Sequence, residues 1–175
     1  MNTHRPPGSL NLRQEVDSLI EQFGQPFLLI VQSRSMRCSK WENEEHDPHC
    51  LLCAGTGWMT RRLKRRGVVQ NASDVVSHAH LTKPTSMGDL WSAAYVFYFE
   101  PNIPLKPGDL ILEVGWKQRI PWGLKRVYEI QHVDQLRDKD EAPAYIYAGA
   151  MQKTLDEPFY QKMVNQITRD IQRGR

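Results

Sequence analysis

The sequence of 175 residues is most informative at first through what it lacks. No apolar run approaches the length of a membrane span, so a membrane location is not expected. The first residues, Met1-Asn2-Thr3-His4-Arg5-Pro6-Pro7-Gly8, carry no apolar segment after their charge and do not read as a secretory leader. There are only three cysteines, which fits a reducing compartment better than a disulfide framework. The net charge of +3 is too small to mark the whole chain as a polyanion binder. No Ser-His-Asp order, phosphate loop or dinucleotide fingerprint is present, and no repeat or low-complexity tract. What remains is an ordinary globular composition, with 40% hydrophobic and 25% charged residues, long enough for one domain and a small appendage.

Two of the three cysteines stand together in Cys50-Leu51-Leu52-Cys53-Ala54-Gly55-Thr56-Gly57, a C-x-x-C-x-G-x-G knuckle. Two thiolates at this spacing can share one tetrahedral zinc if the chain between them turns sharply, and the glycines suit such a turn. The remaining ligands must come from nearby. Cys38 lies upstream, with His46 and His49 between it and the knuckle. Cys38, Cys50 and Cys53 with one histidine make a closed Cys₃His set, the structural kind rather than the catalytic kind. His46 is the easier fourth ligand, and His49 the alternative, since His49 is bonded directly to a ligand residue. The bland reading is three free thiols in a polar loop with two solvated histidines. A catalytic zinc would need an open position and a general base, for which only Glu44 or Glu45 could be drafted.

Charge is uneven along the chain. Arg61-Arg62-Leu63-Lys64-Arg65-Arg66 places five positive charges in six residues. The functional reading of Arg61, Arg62, Lys64, Arg65 and Arg66 is contact with nucleic-acid phosphate or a partner. The bland reading is a solvated face, or a strand edge defended by charge.

The pattern predicts a mainly β, α+β fold: a small antiparallel β-barrel or sandwich with a zinc-knuckle loop inserted, flanked by N-terminal and C-terminal amphipathic helices. Residues 1–9 read as a flexible arm, 10–150 as the β domain with its insertion at about 37–58, and 151–175 as a helical docking tail. Leu12, Val16, Leu19, Ile20 and Phe23 form an apolar helical stripe, with Asn11 placed to cap it and Gly24 to end it. Phe27–Val31 reads as a buried strand, and Gly67–Gln70, Val75–Leu81 and Ala93–Phe99 as further β-prone stretches. His78 and His80 would share one strand face, as solvated residues outside the site. Lys106-Pro107-Gly108-Asp109 reads as a turn with Pro at i+1 and Gly at i+2. Leu110–Trp116 alternates as a half-buried strand, Gln118–Gly123 reads as a hairpin loop, and Val127–Val133 and Tyr145–Ala150 as strands, with Asp134–Pro143 a charged connection. Phe159, Met163, Ile167 and Ile171 recur every four residues in a terminal helix, with Asp156 as its cap.

Taken in order, these pieces resemble a group of structural proteins of the tailed-bacteriophage head–tail connection, or neck. The resemblance covers roughly residues 10–150 and rests on two stretches: the knuckle Cys50–Gly57 and the turn-strand Lys106-Pro107-Gly108-Asp109-Leu110-Ile111. The knuckle alone also resembles the half-sites of DnaJ-type chaperone zinc domains, which use repeated knuckles. The phage group often carries a C-x-C pair upstream; here Cys38 is present and Lys40 stands at the second position, leaving His46 or His49 as the replacement ligand. The resemblance implies a zinc-ribbon-like insert followed by a small β-barrel and no catalytic residues. It further implies a homo-oligomeric ring in the virion, assembled in the host cytoplasm and stacked on other head–tail connector and tail proteins around a channel for DNA. The alternative reading is a zinc-dependent nucleic-acid-binding module, supported by the knuckle beside the basic run. A zinc hydrolase ranks last.

Overall fold

A computed structural model of the chain describes residues 12–41, 47–71, 95–137, 143–153 and 157–173. Helix α1 (Leu12–Phe23) leads into strands β1 (Gln25–Arg37), β2 (Trp58–Asn71), β3 (Tyr95–Phe99), β4 (Leu110–Lys117), β5 (Ile120–Arg137) and β6 (Pro143–Gln152). Helix α2 (Glu157–Gln172) closes the described chain. Among the described residues the fold is mainly antiparallel β with two helices, as the sequence pattern predicts. No described helix is long and apolar enough to cross a membrane.

The strands hydrogen bond in the order β1-β2-β3-β6-β5-β4, and β4 pairs back with β1, so the ladder closes on itself. That closing seam is short: Leu28, Leu29 and Ile30 face Leu112, Ile111 and Leu110. Alternation along each strand sorts the apolar residues into two layers. Phe27, Leu29, Phe97, Phe99, Ile111, Tyr128, Ile130, Ile146 and Ala148 form the inner cluster. The rings of Phe27 and Phe97 meet edge to face at 5.4 Å, and those of Phe97 and Tyr128 at 4.9 Å.

The outer layer is covered by the helices, one on each half of the ladder. Val16 and Ile20 of α1 pack with Val68 of β2, Val96 and Tyr98 of β3, and Tyr145 and Tyr147 of β6. Phe159, Tyr160, Met163, Val164 and Ile167 of α2 pack with Leu28 and Ile30 of β1, Leu110, Leu112 and Val114 of β4, and Val127 of β5. This explains a departure from the sequence reading. Leu110–Trp116 is not half-buried: Leu110, Leu112 and Val114 lie under α2 while Ile111 faces inward, so both faces are covered.

The other departures are local. The apolar stripe of α1 is only half used, since Leu19 and Phe23 remain exposed. Gly24 ends the helix without a left-handed φ; its need is space, because a Cβ there would collide with the Ile20 carbonyl oxygen. β1 runs on to Arg37 rather than ending at Val31. β5 begins at Ile120 and extends to Arg137, so the expected Gln118–Gly123 loop shrinks to a two-residue turn. Gln118 and Arg119 have φ of 50° and 68°, as a type I′ turn requires, although neither is Gly, Asn or Asp. The turn Lys106–Asp109 forms as read: the Asp109 N–H donates to the Lys106 carbonyl at 3.1 Å and Gly108 has φ 88°. Its buried Asp109 carboxylate accepts from the backbone N–H of Gln32 and of Lys106, at 2.9 and 2.8 Å. The two donors compete with burial, which still pushes the Asp109 carboxyl above the ordinary carboxylate range. The Asn11 and Asp156 caps, the Val75–Leu81 stretch with His78 and His80, and the arm 1–9 lie outside the described residues.

Candidate metal centre

β1 and β2 are neighbours in the ladder, with Gln25–Gln32 in register against Gly67–Thr60. The stretch that joins them carries all three cysteines. Its ends are tied together, because the Cys38 N–H donates to the Gly57 carbonyl at 2.9 Å. Within it the knuckle is turned by backbone hydrogen bonds from the N–H of Gly55 to the Cys50 carbonyl and from that of Thr56 to the Cys53 carbonyl, both 3.1 Å. The Thr56 hydroxyl also donates to the Cys53 carbonyl at 2.6 Å.

The glycines act here as the sequence suggested. Gly55 and Gly57 have φ of 75° and 78°, a region that costs any residue with a Cβ about 1–2 kcal/mol. A Cβ on Gly55 would strike the Pro48 carbonyl, and one on Gly57 would strike the Trp41 ring. Ala54 also takes a left-handed φ of 55°. It is buried, packing together with the partly buried Leu51 in the apolar layer beneath α2, so the knuckle is seated on that helix.

Three sulfurs result from this folding, each side chain buried, with all three ligand atoms within 4.8 Å of one another. The Sγ atoms of Cys38 and Cys50 are 3.8 Å apart, and the cysteines are free thiols. They form a cluster by themselves, with no aliphatic or aromatic member. Such a group can hold a metal ion. The thiols are unequal. Burial acts to raise the Cys50 pKa, but backbone hydrogen bonds at Leu52 and Cys53 and the neighbouring sulfurs outweigh it and the net direction is down. Burial pushes the Cys53 thiol up to about 11, against a backbone hydrogen bond at Gly57. The two knuckle thiols are thus shifted in opposite directions by their surroundings.

Of the predicted ligands, Cys38, Cys50 and Cys53 are brought together. His49 does not join the sulfur group. Its ring meets Phe159 of α2 edge to face at 5.4 Å, and its backbone N–H donates to the Asp47 carboxylate at 2.8 Å. His46, Glu44 and Glu45 lie outside the described residues. Sequence reasoning passed over the aromatic wall beside the site. The Arg37 guanidinium stands 4.6 Å from the Trp41 ring centroid and 5.7 Å from that of Trp58, a cation–π bracket across the loop stem. The sequence signal was a tryptophan on each side of the Cys50–Cys53 pair, Trp41 and Trp58.

The basic run forms part of β2. From Thr60 to Arg66 this strand pairs with β1 on one side, and among the described residues its other side gains a partner only at Gly67, opposite Phe99 at the end of β3. The charged-edge reading matches this geometry. Three of the five cations also serve within the chain. Arg62 pairs with Asp170 of α2 at 3.3 Å. Lys64 sits 4.1 Å from the centroid of Trp116, whose indole N–H donates to the Pro26 carbonyl at 2.9 Å. The Arg66 guanidinium donates to the carbonyls of Glu21 and Gly24, at 3.3 and 2.8 Å, and so caps the C-terminus of α1. Arg65 lines a groove of about 520 Å³ beside Asp17, Glu21 and Glu100. Arg61 is exposed.

Comparison of the chain with protein-family models, with curated proteins and with solved structures finds no match.

Proposed function

We propose that the chain is a non-enzymatic structural protein of the phage head–tail connection, a small β-barrel subunit whose inserted loop is held by one structural zinc. The observation that carries the metal reading is the sulfur cluster, three buried side chains gathered with no other member among the described residues. A polar loop of this size cannot hold itself by apolar burial, and a metal replaces the missing core. The spacing supports zinc: sulfurs at ~2.3 Å from a tetrahedral ion stand roughly 3.8 Å apart, matching the 3.8 Å between Cys38 and Cys50. His46 is the proposed fourth ligand, because the His49 ring is engaged with Phe159. A closed Cys₃His set leaves no open position for a substrate or an activated water, which supports a structural role.

The assignment to a virion ring around the DNA channel rests on the resemblance of Cys50–Gly57 and Lys106–Ile111 to neck proteins. The closed ladder, clad by a helix on each side, is compatible with a rigid ring subunit. The zinc-dependent nucleic-acid-binding alternative has less support, because Arg62, Lys64 and Arg66 already have partners within the chain. Native mass spectrometry with and without a strong chelator tests both parts. One zinc per chain, lost with chelator, together with self-association or uptake into a connector ring, is the expected result. A metal-free chain overturns the zinc site, and a zinc-bound monomer that captures short duplex DNA overturns the structural role.

A further inference from the structure

The three cysteine sulfurs are nucleophiles as well as ligands, and they are not equivalent. The Sγ atoms of Cys38 and Cys50 face one another at 3.8 Å, although the residues stand 12 positions apart. The Cys53 thiol donates to the Cys50 backbone carbonyl at 3.8 Å. Cys53 is wholly buried, whereas Cys38 and Cys50 keep 3% and 4% of their surface exposed. A small reagent arriving from solvent therefore meets Cys38 or Cys50 first. All three are free thiols. The backbone holds the facing pair in place. The Cys38 N–H donates to the Gly57 carbonyl at 2.9 Å, and its carbonyl accepts from the Trp41 N–H at 3.0 Å. The Cys50 N–H donates to the Asp47 carbonyl at 3.0 Å, and its carbonyl accepts from the Gly55 N–H at 3.1 Å. A disulfide places its sulfurs ~2.05 Å apart, so closing this pair asks for a shortening of roughly 2 Å between two side-chain tips.

We propose that Cys38 and Cys50 are a site of reversible oxidation by hydrogen peroxide, and that their disulfide replaces the metal as the fastening of the loop. One thiolate attacks a peroxide oxygen. The O–O bond breaks, the sulfur becomes a sulfenic acid, and the second oxygen takes a proton and leaves as water. The other thiolate attacks that sulfur. The S–S bond forms, the S–O bond breaks, and the oxygen takes a proton and leaves as water. Two thiols and one peroxide thus give one disulfide and two waters, with sulfur oxidised and peroxide oxygen reduced. With two of the three sulfurs joined, Cys53 and the proposed His46 are too few for a closed tetrahedral set, so the bridged and metal-bound states exclude one another. That exclusion rests on the proposed metal site; the pairing of the two sulfurs does not. A chain assembled in a reducing cytoplasm and carried into an oxidising exterior, as the proposed virion location requires, passes from the first fastening to the second.

The test treats the full chain, zinc-loaded and chelated, with hydrogen peroxide. Remaining thiols are blocked with N-ethylmaleimide in denaturant, and the non-reduced tryptic peptides are sequenced by mass spectrometry. A colorimetric chelator reads the zinc released. The expected product is a Cys38–Cys50 bridge with Cys53 alkylated, about tenfold or more over a Cys50–Cys53 bridge, because the fold holds the first pair together. Dithiothreitol should reverse it, and in strong urea the preference should vanish. Zinc release should rise in step with the bridge. The bridged chain should keep the protease resistance at residues 38–57 that the chelated, reduced chain loses. A Cys50–Cys53 bridge as the main product, sulfinic acid in place of any bridge, or the same preference in urea overturns the inference and leaves the metal site standing. Zinc retained by the bridged chain, or a bridged loop cut as readily as the chelated one, overturns the exchange of fastenings. A chain that binds no zinc yet forms the Cys38–Cys50 bridge overturns the metal site and leaves the oxidation site standing.

Discussion

The closed ladder and the cysteine loop hold themselves by different means. The ladder has an inner cluster of Phe, Leu, Ile and Tyr and two outer clusters beneath its helices, so its order is set by apolar burial distributed over many residues. The described part of the loop has three sulfurs, a handful of backbone hydrogen bonds and a small apolar footing of Ala54 and Leu51 beneath α2. Burial of apolar surface is non-directional and shared, and losing one residue weakens a whole domain. A coordination centre is directional and concentrated, and losing one ligand releases everything attached to it. On the proposed metal site, stability in this chain has two separate sources.

The sharpest way to break that contrast is to damage the ladder. Phe97 is fully buried and meets Phe27 and Tyr128. Phe97→Ala should cost about 3–5 kcal/mol of global stability, read as a lower urea midpoint with loop and ladder unfolding together. If the loss is confined to β3 while the rest keeps its midpoint, the ladder is not one cooperative unit. Next comes the loop. Cys50→Ser, or chelation of the wild type, should raise amide exchange at Gly55 and Thr56 by on the order of tenfold or more and expose residues 38–57 to protease. The ladder amides should hardly change. Equal protease resistance with and without metal would remove the sulfur cluster from its role as the loop's core. The smallest effects concern the basic strand, which joins the two outer layers. Arg66→Gln loses the bonds to the Glu21 and Gly24 carbonyls and should cost about 1 kcal/mol, felt as fraying at the end of α1. Arg62→Gln breaks a partly exposed pair and should cost at most about 1 kcal/mol in a thermal melt. An Arg62 effect larger than that of Arg66 would reverse their assigned weights.

The parts legible in the sequence were those fixed by neighbours along the chain. Lys106-Pro107-Gly108-Asp109 announces its turn because Pro and Gly restrict or permit the needed φ locally. Cys50–Gly57 announces its knuckle for the same reason, and both glycines do adopt left-handed backbone. β4 and β5 were legible as apolar alternation, β1 as a compact apolar run and the terminal helix as a four-residue recurrence, whereas β2 was read only over Gly67–Gln70 and begins at Trp58. What failed was set by distant residues. Gln118 and Arg119 carry no turn signal; their geometry is imposed by the register that pairs Lys117 with Ile120. The burial of β4 on both faces depends on α2, arriving over Leu112 from well along the chain (Glu157 follows Leu112 by 45 positions). The partners of Arg62, Lys64 and Arg66 are Asp170, Trp116 and the end of α1, and no local pattern could assign them. His49 was ranked behind His46 because it adjoins Cys50, and the Phe159 ring that it meets is not announced by any local pattern.

The closing seam between β1 and β4 has a mechanical consequence. Every other junction in the ladder joins at least five residue pairs, while this one joins three. A hoop under tension parts where its stitching is shortest. The Asp109 carboxylate gripping the Gln32 N–H sits at the end of that row of stitches, a side chain continuing the fastening where backbone pairing stops. A subunit strained around its circumference would therefore yield first between Leu28–Ile30 and Leu110–Leu112, opening like a clasp while the remaining five junctions keep their register.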